Sequence, residues 1–282
     1  MKTSTFRLTV GAPEPRKFVS LGELEIAYID SEGNGPILVC LHAIGHGAGD
    51  FGDLSRRLGS EYRLIGVDFP GHGNSGSDSK AACGIRYTEI LTQFIDRLEL
   101  DSVILLGNSI GGATAIRYAA ANPGRVKALV LSNTGGLDPG GAVARIFTKT
   151  FALFFAAGRR HAFWFPWAFS RYYHKVLTGE PAREQRERII RSAYEIAPIL
   201  EQAWKSFSRP EEDLRDLLPS IQCPVLIAWA KDDFINQLKR SGLAFARLPN
   251  HCIEVFEGGH AAFLEDPDHF DHTLRAFLDD ID

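Results

Sequence analysis

Ser109 is the residue best placed to do chemistry. It stands in Gly107-Asn108-Ser109-Ile110-Gly111-Gly112, between the apolar run Val103-Ile104-Leu105-Leu106 and a small-residue helical stretch. A G-x-S-x-G segment between a buried strand and a helix forms a nucleophile elbow, a sharp turn that lifts the serine hydroxyl out of the backbone. The Ile110 N–H points at the same space and is an expected oxyanion donor. A serine hydroxyl is a weak nucleophile unless a base takes its proton and an acid orients that base. His260, in Glu257-Gly258-Gly259-His260, follows an apolar run and precedes the last helical stretch. It therefore belongs on a loop at the same sheet edge, a position the other eight histidines lack. The acid should follow the preceding strand, where Asp232 and Asp233 are adjacent and only one can face His260.

A second oxyanion donor is expected from the loop Leu41-His42-Ala43-Ile44-Gly45-His46-Gly47. Its glycines let backbone N–H groups converge on a developing negative charge, and Ile44 is the favoured donor. His42 and Asn108 are expected to support the site by hydrogen bonding. His42 and His46 are four apart, yet no Glu stands between them as in a helical zinc motif, so no metal is expected.

These residues need a sheet to hold them. Ile37-Leu38-Val39-Cys40-Leu41, Arg63-Leu64-Ile65-Gly66-Val67, Val103 to Leu106, Ala128-Leu129-Val130-Leu131 and Val225-Leu226-Ile227-Ala228-Trp229 are continuous apolar runs. Ile253-Glu254-Val255-Phe256 is less pure. Such runs suit strands buried on both faces of a parallel sheet. Glu23 to Ile29 alternates and reads as an antiparallel edge strand with one wet face. Helical patterns cover 87–98, 111–121 and 263–278. Strands alternating with helices predict an α/β, doubly wound, mostly parallel sheet. The alternation lapses over 137–216, predicting a helical cap (lid) inserted in a core of 1–136 and 217–282.

The chain has 282 residues and a net charge of −4, with four scattered cysteines. Weak acidity excludes a protein built to coat nucleic acid. Nothing approaches the ~18 apolar residues of a spanning helix, and the N-terminus lacks a secretory apolar core. A cytoplasmic protein with reduced thiols and no cofactor is expected. Residues 139–179 hold eleven of the thirty aromatic residues, six Lys or Arg, and no Asp or Glu. Phe151, Phe155, Trp164 and Trp167 are therefore expected to line an apolar substrate pocket, and the segment leaves room for a homodimer contact or a membrane-surface patch.

In these motifs the sequence resembles the α/β-hydrolase superfamily. Leu41-His42-Ala43-Ile44 is similar to its "HG-x" oxyanion loop, and Asp68-Phe69-Pro70-Gly71-His72-Gly73-Asn74-Ser75 to its "D-x-P-G-x-G-x-S" turn. Gly259-His260 with Glu265-Asp266-Pro267 is similar to its "G-H-x-x-x-x-E-x-P" ending. The resemblance implies the order Ser109, Asp233, His260, with "G-x-x-D" falling on Asp233 rather than Asp232. Ala43 and Ala230 stand where the family has Gly. Ser109 argues against the dehalogenases and epoxide hydrolases, which use Asp at the elbow. The elbow is also similar to that of the meta-cleavage-product hydrolases, which cut C–C bonds, although Ala261 follows His260 where they commonly have Trp. The leading expectation is an esterase-type serine hydrolase acting on a small molecule with a hydrophobic or aromatic moiety. The alternatives are a C–C hydrolase of a dienoic keto-acid, and a non-catalytic ligand-binding protein on the same scaffold.

Overall fold

The computed structural model describes residues 16–138 and 140–281. The N-terminal residues behind the no-secretory-signal expectation, 1–15, lie outside the described residues. Among the described residues the strands are β1 (Lys17–Leu21), β2 (Leu24–Asp30), β3 (Ile37–Leu41), β4 (Arg63–Val67), β5 (Val103–Asn108), β6 (Val126–Ser132), β7 (Val225–Ala230) and β8 (His251–Phe256). They form one sheet in the order β1-β2-β4-β3-β5-β6-β7-β8. β2 is antiparallel to both β1 and β4. The pairs from β4 onward are parallel. β5 and β7 are buried at every position, as continuous apolar runs require when helices cover both faces.

One strand expectation and one helix expectation are corrected. β2 is not an edge strand, because β1 pairs along its outer side and its last five residues are buried. The edge at the far end is β8, where Ile253 and Val255 are 45% and 44% exposed. Its single flanking neighbour leaves those apolar side chains facing water. The last helical stretch is also two helices, α9 (Ala262–Glu265) and α10 (Pro267–Asp279). Pro267 opens α10 at a helix's first turn, where its missing N–H costs nothing.

The other core helices are α1 (Gly52–Leu58), α2 (Gly84–Arg97), which buries Tyr87, Ile90, Leu91 and Phe94, α3 (Ile110–Ala121) and α8 (Leu238–Phe245). Between β6 and β7 come α4 (Ala142–Arg159), α5 (Phe165–Val176), α6 (Arg183–Arg191) and α7 (Ala193–Ser206), with no strand among the described residues there. This insert has its own apolar interior. Phe151 stacks on Trp204 at 4.6 Å between centroids, and Phe155, Phe165 and Phe169 are fully buried. No described helix is long and apolar enough to cross a membrane.

Candidate active site

Ser109 joins β5 to α3 with φ 56° and ψ −116°. A non-glycine residue in this region costs on the order of 1–3 kcal/mol and persists only where its surroundings fix it. The surroundings here are backbone. A Cβ on Gly107 would lie 2.5 Å from the Gly111 carbonyl, and one on Gly111 would lie 2.2 Å from the Leu41 oxygen. The first turn of α3 thus presses directly on the end of β3. The Ile110 N–H is at the first turn of α3, where helix N–H groups have no intrahelical acceptor. It stands beside the Ser109 hydroxyl.

Asp233 and His260 lie against one another. His260 Nδ1 lies 2.8 Å from Asp233 Oδ2, so Nδ1 carries the proton and Nε2 is left as the basic nitrogen. Both residues are buried, whereas Asp232 is exposed. Asp233 is itself held from three sides. Its Oδ1 accepts the Ile235 and Asn236 N–H groups at 2.8 and 3.1 Å, and its Oδ2 accepts Asn133 Nδ2 at 2.8 Å. Asn133 was not foreseen as a site residue. Its signals were a side-chain amide at the end of a buried strand and glycines two residues on; it adopts φ 44°. Asn108 Nδ2 donates to the His260 carbonyl at 2.8 Å and the Ser132 carbonyl at 3.0 Å. The residue before the serine therefore anchors the histidine loop.

The Ile44 loop is shaped by two buried histidines. The His46 N–H donates to the Ala43 carbonyl at 3.1 Å, and Gly45 takes φ 81°, which closes a tight turn through Ile44 and Gly45. His72 Nε2 accepts the Gly45 N–H at 2.9 Å, which holds the turn that contains Ile44. His42 Nε2 accepts the Phe69 N–H at 3.0 Å while its Nδ1 faces the Ala43 carbonyl at 2.7 Å. Both rings are neutral in this arrangement. Burial pushes His42 down to about 4, against the pull of the Ala43 carbonyl. Burial and the neighbouring His42 push His72 down to about 3. His42 thus ties the loop to the Phe69 backbone, and His72, which spacing alone did not mark as a site residue, ties it to Gly45. His46 pairs with Asp50 at 2.5 Å, and Asp50 accepts Arg188 of α6 at 2.5 Å. Among the described residues no cluster of metal-ligating side chains exists.

A cavity of about 450 Å³ opens over Ser109. Ser109, Ile110 and Ala113 line it from the core, Phe147 and Thr148 from α4, Trp204 from α7, and Phe207, Phe234 and Ile235 from loops. Arg145, Arg209 and Arg240 also reach it. Arg240 is bound to Asp138 at 2.9 Å; among the described residues Arg145 and Arg209 have no ion-pair partner. The rings at this cavity are Phe147, Trp204, Phe207 and Phe234, not the four expected from the sequence. None of Phe151, Phe155, Trp164 and Trp167 lines this cavity. Phe155 is wholly buried inside the insert, and Trp164 and Trp167 are 41% and 69% exposed. Phe151 and Trp167 instead border a second, more open groove along α5, which shares Phe234 with the cavity. Phe147 lies one helical turn before Phe151 on α4, and that turn decides which ring meets the cavity.

A strained serine after a buried parallel strand, followed in chain order by a paired Asp and His at the same sheet edge, defines an α/β-type hydrolase scaffold. The alpha/beta hydrolase fold family matches residues 36–267, so the chain belongs to that family and is a hydrolase. It is 27% identical over 267 residues to 2-hydroxy-6-oxononadienedioate/2-hydroxy-6-oxononatrienedioate hydrolase 2 of Pseudomonas putida, covering 91% of this chain and 92% of that one. It is likewise 27% identical over 296 residues to 2-hydroxy-6-oxo-6-phenylhexa-2,4-dienoate hydrolase of Burkholderia cepacia, covering 93% and 96%. Among solved structures, a thermophilic esterase from Thermogutta terrifontis matches with a TM-score of 0.77 at 21% identity, covering 95% of this chain and 99% of that one.

Proposed function

We propose that this hydrolase cleaves a carboxylic ester with a hydrophobic or aromatic moiety, using Ser109 as nucleophile, His260 as base and Asp233 as its orienting acid. The observation that carries the reading is the position of Ser109: strained, at the floor of an aromatic cavity, with the Asp233–His260 pair tied to the residue before it. In this reading residues 137–216 form a cap whose α4 and α7 shape the pocket. His260 Nε2 takes the Ser109 proton as Oγ attacks the ester carbonyl. The N–H groups of Ile44 and Ile110 receive the oxyanion, each contributing about 3 kcal/mol to lowering the barrier. His260 then protonates the leaving alcohol, and water activated by the same nitrogen releases the acid from the acyl-enzyme.

A second reading has its own support. The relatives named as dienoate hydrolases cover more than nine-tenths of the chain, and the unpaired Arg145 and Arg209 at the cavity suit a substrate carboxylate. The same serine, base and acid would then cut a C–C bond beside a ketone. A panel of aryl esters of graded acyl length, run beside a vinylogous keto-acid, separates the two. Ester turnover that rises with acyl length supports the first reading; dienoate cleavage far above any ester rate replaces it with the second. Ser109→Ala should lower either activity by at least about 1,000-fold, and unchanged turnover would refute the site itself.

A further inference from the structure

The outer face of the insert is apolar and basic at once. On α4, Val143, Ile146 and Leu153 are 70%, 65% and 69% exposed, at spacings that keep them along one side of the helix. Past its end Phe163, Trp164 and Trp167 add further exposed apolar surface. Trp164 lies 6.2 Å from Phe154 between centroids, and Trp167 borders the same groove as Phe154, Arg171 and Lys175; these contacts join the end of α4 to α5. Monomeric proteins seldom expose so much contiguous apolar surface without a partner.

Charge indicates the partner. Residues 139–179 carry six Lys or Arg and no Asp or Glu, in a chain whose net charge is −4. Arg159 is taken by Glu201 of α7 at 2.5 Å. Arg145, Lys149, Arg160, Arg171 and Lys175 have no ion-pair partner among the described residues, and all but the Arg171 side chain, which covers Trp167 at 5.3 Å, are left to solvent or to the cavity rim. A second copy would bring an identical positive field against this one. An anionic lipid surface instead supplies both a negative field for the cations and an apolar layer for the side chains.

We infer that the α4–α5 face docks on an anionic lipid bilayer, with Val143, Ile146, Leu153, Trp164 and Trp167 entering the interface and Lys149 and Arg171 meeting lipid phosphates. Because Ala144, Arg145 and Thr148 of α4 also rim the Ser109 cavity, docking sets the cavity mouth beside the membrane. The inference stands whichever bond Ser109 cleaves, since its test reads association and not turnover.

The test mixes the full chain with phosphatidylcholine vesicles, or with vesicles of about one-third phosphatidylglycerol, and separates them by flotation. Binding should appear with the anionic vesicles, weaken in high salt, and fall by at least about tenfold in a Lys149→Glu/Arg171→Glu variant and in Leu153→Asp. Acyl-brominated lipids should quench the tryptophan fluorescence; Trp204 and Trp229 are buried, so Trp164→Phe/Trp167→Phe should abolish the quenching. Unchanged far-UV melting of the variants shows that they fold. No binding to either vesicle overturns the inference, as does equal binding to both. A dimer in sedimentation that Leu153→Asp dissociates, without vesicle binding, would give the face to a second copy instead.

Discussion

The sheet edge that carries Ser109 and the outer face of the insert break opposite rules of burial. At the edge polar groups are buried: Asn108, Asn133, Asp233, His42 and His72 are all under 5% exposed. Each has hydrogen-bonding partners there, and burying a polar group is tolerated only when it is so paired. On the insert's outer face large apolar groups are left exposed to water. The first arrangement restricts motion, because every bond fixes a direction; the second leaves free energy unrealised until something covers it. One region is therefore organised to position atoms and the other to meet a surface.

The largest effect should come from breaking the polar order at its centre. Asp233→Asn keeps the shape but puts an amide where a carboxylate accepts from His260 and Asn133, so His260 loses its orientation and its correct tautomer. Activity on the best substrate should fall by about 10,000-fold with little change in melting temperature. A loss of less than tenfold would mean that the buried bonds serve folding alone. The insert's interior gives a contrasting large effect on stability. Phe155→Ala removes a ring with no exposure, packed against Phe165 and Tyr172, and should cost about 3–5 kcal/mol in urea unfolding.

Acid should weaken the edge in a defined window. In the unfolded chain His42 and His72 titrate near 6.5, whereas in the fold they resist protons down to about 4 and about 3. Below 6.5 the unfolded chain therefore binds protons the native one refuses, and each histidine removes up to about 1.4 kcal/mol per pH unit until its folded value is reached. Asp30 acts lower. Burial raises its carboxyl, but bonds from Arg63, the Glu32 N–H and Lys17 outweigh that and bring it to about 2, so its contribution disappears between roughly pH 4 and 2. Urea midpoints should fall steadily from pH 6.5 to 4.5. His72→Gln, which keeps an acceptor for Gly45, should flatten the slope; an unchanged slope would place the acid sensitivity elsewhere.

The sequence made the edge far more legible than the cavity, and the reason is physical. An elbow depends on local backbone: glycines two residues either side of Ser109 and an apolar strand before it can be read within ten positions. The boundaries of β3 and β4 were equally local, since each continuous apolar run stops at a polar residue, His42 and Asp68. The choice between Asp232 and Asp233 needed a family pattern, because adjacent residues on one loop look alike until His260 is placed. Asn133 and His72 act through contacts tens to more than a hundred residues away in the chain, which spacing does not encode. The cavity rings were mistaken for their neighbours because composition located a cluster of aromatic residues, while helical phase decides which of them faces Ser109.

The smallest effect is the sharpest check on the contrast between interior and outer face. Trp167 is larger than Phe155 and belongs to the same aromatic segment, but at 69% exposure it loses little by truncation. Its one partner of note is Arg171, 5.3 Å above the ring, a solvent-exposed cation–π contact that contributes about 0.5–1 kcal/mol. Removing the ring also relieves water of apolar surface, which offsets part of that. Trp167→Ala should therefore move the urea midpoint by no more than about 0.5 kcal/mol in equivalent stability, against the several expected for Phe155→Ala. Equal losses would show that Trp167 packs into the insert's interior and would remove it from the outer face.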